Sequence, residues 1–118
     1  MSISIQELAS TDFSAVTTGG RLQPVSPGAI LLHDFMEPLG LSANALALAI
    51  HVPTNRITGI LLATRGVTAD SALRLARYFG TTPQFWMNLQ SNYDLRLAEA
   101  QTGHRIRTEI ATRPMVAA

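Results

Sequence analysis

The chain has 118 residues, 47% of them hydrophobic, with nine basic and eight acidic side chains, three histidines and no cysteine. That length suits one small domain with a buried core, the missing thiols exclude disulfides and thiolate-bound metal, and the histidines lack a metal-ligand spacing. A formal net charge of +1 is low for a protein that grips nucleic acid through a broad basic surface. The apolar runs are shorter than a membrane span and the start has no signal-peptide pattern, so a cytoplasmic protein with no cofactor, metal or membrane partner is expected.

Residues 1–25 join an apolar start (Ile3, Ile5, Leu8) to a linker-like stretch at 17–20 and are expected to form an N-terminal arm. Ser26 and Pro27 then read as a cap and first-turn proline, opening a helix with Ile30, Leu31 and Phe35 at helical spacing, which Pro38 and Gly40 stop. Ser42 caps a second helix, where Leu46, Ala47 and Ile50 form one apolar stripe. Pro53 cannot continue that helix but suits the first turn of another, so the break falls at His51 and Val52. In the third helix Ile57, Ile60 and Leu61 share an inward face. Asn55, Thr58, Gly59 and Leu62 point away, with Arg56 on the flank.

Arg65 and Gly66 lie in a connecting loop. Thr68 caps a fourth helix carrying Ala72, Leu75, Ala76 and Phe79 and ended by Gly80. Thr82 and Pro83 open the longest helix, expected over residues 84 to about 101, whereas residues 103–118 have weak periodicity and are expected to fray as a C-terminal tail. The chain is therefore read as all-α, a compact five-helix domain at 26–102 between an arm and a tail.

The second and third helices have the helix-turn-helix layout, in which the first crosses the DNA backbone and the N-terminal part of the second enters the major groove. Small Ala47 permits their close crossing. His51 occupies a turn position that needs left-handed backbone, which His tolerates less freely than Gly, so a small strain is expected there. Asn55 has the carboxamide that can bond adenine twice, and its place at the start of the helix favours a DNA role over a local cap; Arg56 could reach guanine or phosphate; Thr54 and Thr58 could bond phosphate or touch a thymine methyl. Arg65 suits a phosphate beyond the helix, whereas Arg74 and Arg77 read as a solvated helix face.

On the longest helix Phe85, Trp86, Leu89, Tyr93 and Leu97 form an apolar stripe longer than a five-helix domain needs to bury. The surplus points to a dimer contact through Trp86, Leu89, Tyr93 and Leu97, with ordinary core packing the competing explanation at the first turn. His33, Asp34 and Glu37 sit within about a turn, but no nucleophile or oxyanion site accompanies them, so the trio does not make an enzyme.

Taken together, SPGAILLHDFMEPLGLS, VPTNRITGIL and RGVTADSALRLARYFGTTPQFWMNLQSNYDLR resemble the HigA-type antitoxins, a branch of the Cro and lambda-repressor class of helix-turn-helix proteins. The resemblance spans roughly residues 25–96. It implies a lambda-repressor-like domain that dimerises, binds palindromic double-stranded DNA in its own promoter, represses transcription and neutralises a RelE-like messenger-RNA-cleaving toxin. The positions matching the family's DNA-reading helix are Pro53, Thr54, Asn55, Arg56 and Thr58, and Arg65 matches its basic loop. The chain departs from the family at Leu62 and Ala63, where Asn-Gly is common, at Thr64, where a second basic residue is common, and at His51, where a small turn residue is common. Two other functions stay open on this reading: a protein-interaction module that sequesters a partner without DNA binding, and a solitary regulator with no toxin.

Overall fold

The computed structural model describes residues 24–114. All but the end of the expected N-terminal arm lies outside the described residues. Among those described, the backbone forms five helical runs and no strand. Helix α1 covers residues 27–39, α2 Ala43–Ile50, α3 Thr54–Leu61, α4 Ala69–Phe79 and α5 residues 83–109.

The starts follow directly from side-chain chemistry. The hydroxyls of Ser26, Ser42, Thr68 and Thr82 accept from the backbone N–H three residues on, at 3.2, 3.0, 3.2 and 3.1 Å, so each satisfies one of the amides a helix leaves open. The ends of α1, α2 and α4 curl into left-handed residues, Gly40, His51 and Gly80. At the α2 end Val52 N–H reaches back to the Ala47 carbonyl (3.0 Å) and His51 N–H to that of Leu48 (3.3 Å), the paired bonds of a Schellman stop.

Two helices differ from expectation. Pro38 does not stop α1; it lies in its final turn, Glu37–Leu39, and the preceding segment Leu31–Met36 takes the wider π bonding. A proline ring crowds the carbonyl four residues back in a regular α-helix, and a widened turn directly ahead of Pro38 relieves that crowding. The C-terminal tail does not fray at 103 either. The helix passes through a π segment, Glu99–Gly103, and continues as His104–Glu109. Gly103 is buried beneath the Glu99 carboxylate, which also pairs with Arg107, so neighbouring side chains brace this extension where a Cβ at 103 would collide.

The core unites Leu31 and Met36 of α1, Leu46, Ala47 and Ile50 of α2, Ile57 and Ile60 of α3, Val67, Ala72, Leu75 and Ala76 on and before α4, and Trp86 of α5. Phe35 sits at the aromatic centre, its ring 5.0 Å from both Phe79 and Trp86. Trp86 is wholly buried, and its Nε1–H donates to Thr81 Oγ1 at 2.7 Å. It therefore offers no surface to a second copy, and its assignment to a dimer contact is corrected: the residue falls on the inward side of the first turn of α5. Leu89 is half-buried against the same core, and Tyr93 and Leu97 are half-buried along a groove of about 220 Å³ shared with Pro27 and Ile60.

A close approach of α1 to α3 fixes their separation. Gly28 of α1 abuts the Ile60 carbonyl, and a Cβ there would also lie 2.7 Å from Leu61 Cα. Backbone cannot swing aside as a side chain does. Gly28→Ala is expected to destabilise the protein by about 3 kcal/mol through forced separation of α1 from α3, read as a lower denaturant midpoint at unchanged slope.

Candidate nucleic-acid interface

Helix α3 buries Ile57 and Ile60 and turns its other face outward, with Leu62 beyond its end 73% exposed. Its start is unusual because the N-cap residue is Pro53, which has no side-chain acceptor, so no side-chain bond closes the first turn. Pro53 and Asn55 are exposed, and Thr54 and Thr58 are half-buried. Thr54 Oγ1 donates to Asn44 Oδ1 at 2.9 Å, which joins the N-terminal ends of α2 and α3 side by side. Thr58 Oγ1 lies 3.4 Å from the Asn55 carbonyl, leaving the Asn55 carboxamide itself projecting from the first turn. Together these residues form a narrow polar ridge with open amides at one end, a shape and chemistry suited to a groove lined by phosphates and base edges.

Arg56 is placed differently from an open flank residue. Its side chain is only 29% exposed, and Nη1 donates to Asp70 Oδ2 at 2.6 Å. The same oxygen accepts from Arg74 Nε at 2.8 Å, and Arg74 Nη1 continues to the carbonyls of Ile50 and His51 at 2.9 and 3.3 Å. Arg74 is thus no solvated bystander: it caps the exposed carbonyl end of α2, where a cation is favoured by the helix dipole. The Arg74 and Arg56 hydrogen bonds hold the Asp70 carboxyl below its ordinary value of 3.8. The signal in the sequence was the i, i+4 spacing of Asp70 and Arg74 on one helix; the partners on α2 and α3 came only from the fold.

Arg65 is exposed in the loop between α3 and α4, with its side chain lying against Gly59, where a Cβ would sit 3.0 Å from Arg65 Cβ. That loop is anchored at its far side by Gln90 of α5, whose Oε1 accepts the Val67 N–H at 2.7 Å and whose Nε2 donates to Asp94 at 2.9 Å. Ala63, just past α3, has φ of 62° and sits where the resemblance expects glycine. Both ends of the corner and ridge therefore carry non-glycine left-handed residues, His51 and Ala63. Among the described residues no cluster of His, Asp and Glu could hold a metal, and no helix is long and apolar enough to cross a membrane.

A helix-turn-helix family model (HTH_3) matches residues 32–86. Antitoxin HigA-1 of Vibrio cholerae is 42% identical over 74 residues, 62% of this chain and 69% of that protein. The chain belongs to the HigA family of helix-turn-helix proteins. Virulence-associated protein I of Dichelobacter nodosus is 53% identical over 75 residues, covering 64% of this chain and 69% of the relative. The structure of the Pseudomonas aeruginosa antitoxin HigA with higBA promoter superposes with a TM-score of 0.75 at 44% identity, over 77% of this chain and 99% of that one. Membership of the HigA family makes the chain a transcriptional-regulator type of protein and not an enzyme.

The shared carboxylate, being exposed, carries a small pH signature of known sign. Because Asp70 is depressed in the folded protein, its contribution to stability is complete well above 3.8 and is lost as pH falls through the lower folded value. Asp70→Ala is expected to flatten the acid side of a stability–pH curve below about pH 4 while leaving its shape between pH 6 and 8 unchanged, as measured by thermal unfolding across that range.

Proposed function

We propose that the protein is a dimeric, sequence-specific DNA-binding repressor of the antitoxin type, which inserts α3 into the major groove of a palindromic operator in its own promoter. The observation that carries this reading is the polar ridge of Pro53, Thr54, Asn55 and Thr58, with Pro53 and Asn55 exposed, at a helix start without a side-chain cap. It stands in a chain 44% identical to an antitoxin whose structure was solved with promoter DNA. On this reading Asn55 reads a base edge, Arg56 reaches guanine or phosphate, Thr54 and Thr58 bond phosphate or touch a thymine methyl, and Arg65 meets the backbone beyond the helix. The second copy packs along α5 through Leu89, Tyr93 and Leu97, and two-fold symmetry places the half-sites about one helical turn apart. As an antitoxin the protein neutralises a RelE-like messenger-RNA-cleaving toxin in the cytoplasm; the similarity to Antitoxin HigA-1 supports that part of the proposal.

Two measurements test the two halves of the assembly. In fluorescence-anisotropy titrations against duplex from directly upstream of the gene, affinity should fall with log salt at a slope of roughly −4 to −5, and Asn55→Ala should cost about 1–3 kcal/mol on that duplex. Its effect on a scrambled duplex should be far smaller, and equal losses on both would remove Asn55 from base reading. Leu97→Asp is expected to shift sedimentation from dimer toward monomer; a variant that stays dimeric would place the interface elsewhere.

A further inference from the structure

A carboxylate beside a DNA-reading helix calls for explanation, because it repels the phosphates that such a helix approaches. Asp70 is 54% exposed at the first turn of α4, directly alongside Arg56 of α3. Exposed ion pairs contribute little to stability, so holding the helices together does not account for it. Its geometry is more telling. One oxygen, Oδ2, takes both Arg56 and Arg74, and Arg74 is fastened in turn to the backbone carbonyls of Ile50 and His51. The carboxylate is therefore tied through Arg74 to the helix corner itself, and Arg56 inherits that fixed position.

We propose that Asp70 is a positioning residue for DNA specificity: it aims the Arg56 guanidinium in one direction and keeps it from pairing with the phosphates of any sequence. The inference rests on the DNA-binding reading above. A guanidinium has five N–H donors, and only Nη1 of Arg56 bonds Asp70, which leaves donors for a base edge or a phosphate presented at the right place. A free arginine binds whichever phosphate comes near. A tethered one has already lost its rotamer freedom and meets only partners along its line, so operator DNA that fits loses little while other DNA loses both the contact and the charge.

The test compares operator-region and scrambled duplexes, each at several salt concentrations, for the parent protein, Asp70→Asn, Arg56→Ala and the double variant. With Asp70→Asn, binding to the scrambled duplex should tighten and its salt slope steepen by about 1.8 per dimer, one added phosphate contact per protomer. The ratio of the two Kd values should fall about tenfold. The double variant should bind both duplexes somewhat more tightly than Arg56→Ala, through loss of the negative charge, but with the same ratio of Kd values, since Asp70 sets selectivity through Arg56. A change in the ratio that persists without Arg56, equal weakening on both duplexes, or an unchanged ratio would each overturn the proposal while leaving the repressor reading intact. A parent protein that binds neither duplex, or both equally, would overturn the repressor reading and this inference with it. If Asp70→Asn does not fold, Asp70→Glu keeps the charge on a longer arm: it should reduce selectivity without tightening scrambled binding, and full selectivity in that variant would overturn the proposal.

Discussion

A helix that stops leaves carbonyls without partners, and α2 stops at the corner that orients α3. Part of that demand is met by the backbone, through the left-handed turn at His51 and the bonds from Val52 and His51. The rest is met from a distance by Arg74 of α4, whose guanidinium spans the Ile50 and His51 carbonyls and the Asp70 carboxylate. The corner is therefore a three-helix construction. The angle of the polar ridge depends on α4 packing correctly, and α4 in turn packs on α5 through the Phe79–Phe35–Trp86 aromatics.

That arrangement reconciles a nearly neutral chain with a DNA-facing role. With net charge +1 the protein has no broad electrostatic field to rely on, and long-range attraction to nucleic acid is correspondingly weak. Charge is used locally: Arg65 on a loop braced by Gln90, and Arg56 held by an acid that lowers its reach. On the proposed reading, shape and hydrogen bonding at the first turn of α3 supply a large share of recognition, and Asn44 and Thr54 join the starts of α2 and α3 side by side there.

Much of the fold was legible because it rests on local rules. Ser26, Ser42, Thr68 and Thr82 each announced a helix start, Gly40 and Gly80 each marked a stop, and the stripes Leu46–Ala47–Ile50 and Ile57–Ile60 identified the buried faces. The ridge residues followed from the same count along α3. What escaped had non-local causes. Spacing could not tell whether Trp86 faced its own core or a neighbour, since both lie on the apolar stripe. Nor could it find the acceptors of Arg74, which are 23 and 24 residues away in the chain. The persistence of α5 past Gly103 depended on Glu99 and Arg107 closing over a glycine, an arrangement that periodicity does not encode.

That extension gives α5 an unusual geometry. From Trp86 to Glu109 the helix runs about 35 Å at 1.5 Å per residue. Its root is clamped in the core, while residues 98–110 are exposed apart from Thr102 and Gly103. Leu89, Tyr93 and Leu97 hold the helix against the domain as far as residue 97, and only the turns beyond stand clear. Residues 98–109 extend about 18 Å at 1.5 Å per residue. Gln90 belongs to the held part of α5, so the brace on the Arg65 loop and the projecting end are separated by the packed turns between them.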